Sequence, residues 1–538
     1  MNQPFLMVPP FPGARGLPLA ATGSSSCDGP KVLAALVAAR VGGRFWLAAA
    51  ELQPGHEIIL VPDSPAQLAA MIRALPAPQA TVLGRAGGRV PADFMALGQD
   101  FDPWHLAAQA REVWTGSNRE LAKVAALLGK PVRVYAGEQV LDPQPDLIAT
   151  LLAELAANRY ASPFDGEPWD IEQAITQLGA WRSLIESNRA FQAIVGVARW
   201  KRVTVDPLLW DGTGPVRHLG RGTDRLVADR PVAAWKSRTP QAVLDRLGSA
   251  GISIAELEDG FIRSVGLGAN CVPPLSIFLD RSGVYFDPNQ PSDLEKLLEF
   301  EELPEYWIYR AGEIRAALVQ SGISKYGREQ VCTPPAPASR RQVLVTGQVE
   351  DDRSVLSGGH NCTNLELIAR TRALEPDAWI IYKPHPDVEA GHRKGHVPDH
   401  EVLRHADAID RESSIASLIA RVDALHVITS LAGFEALLRG KQVTAHGQPF
   451  YAGWGLTRDL APANPRRTRH RSLDELVAAA LIGYPRYVDP VTRLPCSPEL
   501  LINRIAVGQA RVRSLLITLR EWQGRAQLAW RRLLGDRR

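Results

Sequence analysis

Beyond residue 341 the chain alternates short, mainly apolar runs with polar loops and helix-length stretches. Val343-Leu344-Val345 leads into Glu350-Asp351-Asp352, Trp379-Ile380-Ile381-Tyr382 leads into Lys383-Pro384-His385-Pro386-Asp387, and residues 424–428 lead into Thr429-Ser430. Runs that are apolar on both faces suit parallel strands covered by helices. Such sheets bind ligands in the loops at the carboxyl ends of their strands. The pattern therefore predicts three loops that bring acids, a histidine and a helix N-terminus to one edge.

A second α/β pattern covers residues 203–332. Ile252-Ser253-Ile254-Ala255 reads as a strand that delivers residues 256–264, and 274–280 with 283–287 read as a hairpin-like pair. Residues 288–302 are helix-forming. Earlier in the chain, 57–61 and 132–134 read as strands, 121–128 as a helix, and 169–201 as a mostly helical stretch ending in Arg199-Trp200-Lys201-Arg202. The proline-rich segment 333–339 is a stiff linker.

The predicted class is α/β, with two Rossmann-type lobes, an extra N-terminal α/β region and a helical connector. The expected boundaries are 1–160 for the N-terminal region, which carries no catalytic chemistry, and 161–202 for the connector. The first lobe is 203–332, the linker 333–341, the second lobe 342–490, and a basic amphipathic helix 491–538. Between residues 504 and 538 there are nine arginines, and Val512, Leu515, Leu516, Leu519, Trp522, Ala526, Trp530 and Leu533 recur at helical spacing.

Composition narrows the classes. At 538 residues the chain exceeds the ~250–300 residues that one core supports. Apolar residues at 45% and charged residues at 22% describe an ordinary globular protein, and a net charge of +3 gives no global field for nucleic acid. The five cysteines are scattered without a CxxC pair, which argues against a zinc site and suits a reducing cytosol. No apolar run reaches the ~20 residues of a membrane span, and no basic n-region marks a signal peptide. A cytoplasmic protein is expected. Residues 508–538 either lie on an anionic membrane surface or dock on the protein body.

The loops carry the chemistry. His385, between Lys383 and Asp387, can hydrogen-bond a phosphate oxygen or a sugar carboxylate, and Pro386 fixes the loop. Thr429 and Ser430 stand where a helix begins, a position that binds phosphate. Gly433 would let a ligand approach closely, and Glu435 could accept ribose hydroxyls. Glu350, Asp351 and Asp352 fit a carboxylate nucleophile or a metal ligand. Glu258, with Asp259 beside it, comes from the other lobe, and two carboxylates across a sugar are what acid/base-assisted glycosyl transfer requires.

Taken together, these motifs resemble the KpsC-type β-Kdo transferases of capsule assembly. The matching residues are 257–264 (LEDGFIRS) with Gly266-Leu267-Gly268, then 273–276 (PPLS), Ser324-Lys325-Tyr326 and 347–352 (GQVEDD). Further matches are 363–367 (TNLEL), 382–388 (YKPHPDV), 430–438 and 447–455 (GQPFYAGWG). The resemblance covers about residues 200–490. It implies a GT-B-like fold, CMP-β-Kdo as donor, a Kdo-terminated glycolipid as acceptor, retention by double displacement, and no metal or other cofactor. Carried over by residue, Asp352 would be the nucleophile and Glu258 the acid/base. His385 and Ser430 would hold the donor phosphate, helped by Lys383, Gln448 and Arg263, with Gln348 and Asp259 against the substrate.

One departure stands out. Family members carry two complete modules, whereas this chain has one motif set, resembling the C-terminal module; residues 128–134 end in Tyr135-Ala136-Gly137-Glu138 instead of an EDGF motif. One linkage per chain is the expectation. The competing readings are another CMP- or CDP-activated transfer, of sialyl or polyol-phosphate groups, and a non-catalytic scaffold in a capsule assembly or export complex.

Overall fold

The computed structural model describes residues 4–77, 79–84, 90–98, 100–117, 119–220, 226–262, 271–324, 327–328, 339–391 and 393–510. Arg263, the linker 333–338 and residues 511–538 lie outside the described residues. The chain forms two units. One comprises Met1–Ala190, Asp206–Arg217 and Val491–Leu494, and the other Phe191–Val205, His218–Pro490 and Pro495–Arg538.

The first unit contains a doubly wound sheet. Its order is Met95–Leu97, Thr81–Leu83, Ile58–Val61, Glu112–Thr115, Val132–Ala136 and Gln139–Val140, parallel except for the last strand. The strands run outward in chain order on both sides of Ile58–Val61, so the ligand crevice of such a sheet would open between Ile58–Val61 and Glu112–Thr115. Here Asp63 occupies that edge, accepting from the Ser117 N–H at 2.6 Å and its Oγ at 2.7 Å. The helix Ile171–Asn188 starts on an Asp170/Gln173 capping box and carries Arg182, which pairs with Asp102 at 2.6 Å, both side chains at most 4% exposed.

The second unit holds two sheets. The first has the order Ala193–Val195, Val232–Ala234, Ile254–Asp259, Ser276–Asp280, Pro485–Val488 and Pro495–Cys496; its first three strands are parallel and the rest antiparallel. Two expectations differ here. The helix expected across 169–201 ends at Asn188, because the buried triplet Ala193–Val195 pairs with Val232–Ala234 and opens this sheet. Residues 283–287 form no hairpin strand. The Asp280 carboxylate accepts from the Ser282 and Gly283 N–H groups, both at 2.9 Å, and turns the chain away. Ser276–Asp280 pairs instead with Ile254–Asp259 and with Pro485–Val488, so residues 485–488 complete the first sheet, although they fall in the range expected for the second lobe.

The second sheet is parallel throughout, in the order Ala408–Ile409, Trp379–Lys383, Gln342–Thr346, Ala424–Val427, Gln442–Ala445 and Arg458–Asp459. Val343, Val345, Ile380, Tyr382 and Ala424 pack with Leu367 and Ile368 from the helix Asn364–Leu374. Aromatic rings join the two sheets' loops. Phe261, just after Ile254–Asp259, stacks on Phe450 at 4.6 Å and lies 5.8 Å from Phe434, both from the second lobe. Phe278 and Tyr285 complete the group.

Candidate active site

Gln342–Thr346 is central, with Trp379–Lys383 on one side and Ala424–Val427 on the other. The three motif loops therefore leave adjacent strands at one edge, as the apolar runs predict. Gln348 ties two of them together: its Nε2 donates to Thr429 Oγ1 at 3.1 Å and its Oε1 accepts from the Thr429 N–H at 2.8 Å. Asn364 anchors it in turn, accepting from the Gln348 N–H at 2.9 Å and donating to the Gln348 carbonyl at 2.8 Å. Gln348 is 8% exposed, so a ligand meets a loop that this side chain has already shaped.

The three acids divide sharply. Glu350 accepts from the Asn364 N–H at 2.8 Å, and Asp351 faces outward against Arg393 at 3.1 Å. Asp352 caps the helix Arg353–Gly358, and its Oδ1 accepts from both the N–H and Oγ of Ser354, at 3.0 and 2.8 Å. Among the described residues Oδ2 makes no hydrogen bond. One oxygen is thus fixed and the other is available, which is the arrangement an oriented carboxylate nucleophile needs.

His385 caps the short helix Pro386–Glu389, its Nδ1 accepting from the Asp387 N–H at 3.1 Å. A backbone N–H can only donate, so Nδ1 carries no proton and Nε2 of the neutral ring is a donor. Lys383 reaches the Asp410 carbonyl at 3.4 Å. Ser430 is the N-cap of Leu431–Leu438, its Oγ accepting from the Ala432 N–H at 3.2 Å. Gln448 donates through Nε2 to the Pro462 carbonyl, and its N–H donates to the Gly358 carbonyl at 2.8 Å.

One position expected to admit a ligand is taken up by the protein itself. A Cβ on Gly433 would fall 2.1 Å from Tyr451 Oη, so the missing side chain makes room for a buried ring rather than for a ligand. Glu435 is 8% exposed and lies inside the helix's packed face.

In the first lobe, Glu258 and Asp259 end the strand Ile254–Asp259. Glu258 Oε1 accepts from the Asp259 N–H at 3.1 Å. Asp259 pairs with Lys201 at 3.0 Å, whose ammonium lies 3.3 Å from the centre of the Trp235 ring. The charge expected to face substrate is therefore held by a buried lysine. Glu256, on the same face as Glu258 two residues earlier, is 2% exposed and takes Lys236 at 2.8 Å and Arg353 at 2.6 Å. Burial works against the charge of Arg353, but the hydrogen bond to Glu256 and the fields of Glu256, Glu258 and Asp287 outweigh it and raise the guanidinium pKa. Among the described residues no group of three His, Cys, Asp or Glu side chains is placed to hold a metal ion, and no helix is long and apolar enough to cross a membrane.

Residues 231–311 and 301–487 match the model of the capsule polysaccharide biosynthesis protein family. The solved KpsC β-Kdo 2,4 transferase of Thermosulfurimonas dismutans is 32% identical; the match covers 58% of this chain and 98% of that one, with a TM-score of 0.51. The chain belongs to the capsule polysaccharide biosynthesis family, as a KpsC-type member with a GT-B-like fold. The capsule polysaccharide modification protein LipA of Neisseria meningitidis is 34% identical over 430 residues, covering 75% of this chain and 60% of that protein. The lipopolysaccharide-processing protein LpsZ of Rhizobium meliloti is 46% identical over 258 residues, 47% of this chain and 58% of its own length. The chain thus spans about 60% of the curated relatives' length.

Within this KpsC-type fold, the ion pairs Arg353–Glu256 and Lys201–Asp259 were not visible in the sequence. Their partners lie 97 and 58 residues apart, and neither pair has a periodic signature. The proximity of Arg353 to Asp352 and of Glu256 to Glu258 is the one hint available along the chain.

Proposed function

We propose that this chain is a retaining β-Kdo glycosyltransferase that uses CMP-β-Kdo to extend a Kdo-terminated capsule glycolipid. The observation that carries the reading is the placement of one carboxylate in each lobe, in two unlike settings. Asp352 sits with one oxygen anchored at the edge of the nucleotide-type sheet, and Glu258 sits at the end of a strand in the facing lobe. The family membership and the similarity to a β-Kdo transferase support the choice of a Kdo donor.

In the first step Asp352 Oδ2 attacks the anomeric carbon, the bond to the phosphate oxygen breaks, and CMP leaves with the electron pair. His385 Nε2–H, Lys383 and the amino end of Leu431–Leu438 at Ser430 stabilise the charge that develops on that phosphate. In the second step Glu258 accepts the proton of the acceptor hydroxyl, whose oxygen attacks the same carbon and releases Asp352. Two inversions leave the β configuration unchanged.

The test is transfer from CMP-Kdo, generated in situ, to a Kdo-terminated acceptor, read as CMP release and as product mass. Product with wild type and none with Asp352→Asn is expected. Equal product from both would remove Asp352 as nucleophile, and no product from wild type with any CMP sugar would leave a scaffold role.

A further inference from the structure

The helix Arg353–Gly358, capped by Asp352, is docked on the first lobe at several points. Arg353 pairs with Glu256 at 2.6 Å and stacks over the Phe286 ring at 4.9 Å. Asn289 donates to the Ser357 carbonyl at 3.0 Å, and Ser357 Oγ donates to the Phe286 carbonyl at 3.2 Å. The Arg353–Glu256 pair has an unusual place in the chain. At one end it is one residue from Asp352, and at the other it is two residues, about 7 Å of strand, from Glu258. Glu256 is 2% exposed and points to the same face as Glu258, whereas Arg353 is 43% exposed.

We propose that Arg353 is a positioning residue for glycosyl transfer: seated on Glu256, it sets the span between Asp352 and Glu258 across the two lobes. This rests on the catalytic roles proposed above. A stability role alone fits the geometry poorly. Lys236 also neutralises Glu256 at 2.8 Å, so losing Arg353 leaves no buried carboxylate without a cation. An arginine so exposed adds little to folding. Positioning is another matter, because a misplacement of ~1 Å between reacting groups can cost ~100-fold in rate.

The pair also has an electrostatic signature. Arg353 faces Glu256, Glu258 and Asp287. Lys236 from the adjacent loop and the Lys201–Asp259 pair add their charges at this end of the sheet. The guanidinium favours the carboxylate form of Glu258, so removing it raises the pKa of that group. A base must be ionised to act, so the acidic limb of the kcat/KM profile moves to higher pH.

The experiment compares Arg353→Gln, Glu256→Gln, the double variant and Asp352→Asn for kcat, donor KM, pH profile and thermal midpoint. For Arg353→Gln the expected result is a kcat lower by about 100-fold, with donor KM within about threefold and the acidic limb moved upward. Its midpoint falls by no more than about 3 °C, and the double variant is no slower than the slower single one. A kcat within threefold of wild type with an unmoved profile overturns the proposal. So does a rate loss that simply follows a collapse of the midpoint. A fully active Asp352→Asn instead sinks the nucleophile assignment on which the proposal rests, so the two failures are separable.

Discussion

Gly433→Ala adds one methyl group at a position where the structure leaves no room for it. The new Cβ would lie 2.1 Å from Tyr451 Oη, 2.6 Å from Cζ and 2.9 Å from Cε2. Ordinary contact needs about 3.5 Å, so ring and helix must separate by more than ~1 Å. Tyr451 cannot swing away: it is fully buried, packs against Phe450 at 5.1 Å, and donates its hydroxyl to the Ser430 carbonyl. Overpacking of this kind costs ~1–3 kcal/mol. Breaking the hydroxyl's bond leaves a buried polar group, which costs another ~1–3 kcal/mol. Against this stands a gain of about 1 kcal/mol for alanine over glycine in a helix. The loss wins by ~1–5 kcal/mol, and the displaced segment is the one that starts at Ser430. We therefore expect a lower thermal midpoint and, at temperatures where the fold survives, transfer reduced by ten- to a hundredfold. Gly433→Ala with wild-type midpoint and wild-type transfer would refute the packing argument, since the helix-propensity gain would then be the only effect present.

The other predictions concern charge. Asp352→Asn keeps a helix-capping side chain, so it should abolish transfer while circular dichroism and thermal midpoint stay near wild type. The buried pair His426 and His446, 3.1 Å apart, is held neutral: burial lowers their pKa values to about 3 and about 4. The unfolded chain takes up these protons below ~6.5, so stability is present above that pH and falls as pH drops toward 4, by up to ~1.4 kcal/mol per pH unit for each histidine. Denaturant midpoints at pH 7 and 5 should show this, and a His426→Gln/His446→Gln protein should lose much of the slope. In the first unit, Arg182→Met leaves Asp102 buried without its partner and should lower the unfolding free energy of that unit by ~3–5 kcal/mol in chemical denaturation. On the proposed roles, the leaving phosphate would meet the Lys383 ammonium, the His385 N–H and a helix N-terminus, so transfer should persist in a chelator; loss of activity restored by Mg2+ would oppose this.

Much of the second lobe was legible because its strands are apolar on both faces. Residues 343–345, 379–382 and 424–428 each announce a buried parallel strand, and the loop leaving the carboxyl end of such a strand forms the ligand edge. Ser430 as N-cap could be read for the same local reason. Pairing decided by distant contacts could not be read. Ala193–Val195 is three residues long and becomes a strand only against Val232–Ala234, and Pro485–Val488 joins a sheet whose partner strand lies some two hundred residues earlier. At the site, the sequence pointed to residue types and not to their occupants. Nothing along the chain says that Gly433 is reserved for Tyr451, or that Asp259 is held by Lys201 beneath Trp235. Asp351 and Asp352 look alike in sequence, and only the fold sends one to Arg393 at the surface and the other to Ser354.

The most direct test of the account is intact-protein mass measurement of the Glu258→Gln variant after incubation with CMP-Kdo, followed by peptide mapping. Without the base, the second step stalls while the first proceeds. The account predicts a mass increase of one Kdo residue on the peptide that contains Asp352, absent from the Glu258→Gln/Asp352→Asn double variant. An unmodified protein that nevertheless releases CMP, or an adduct on any other residue, would contradict double displacement through Asp352.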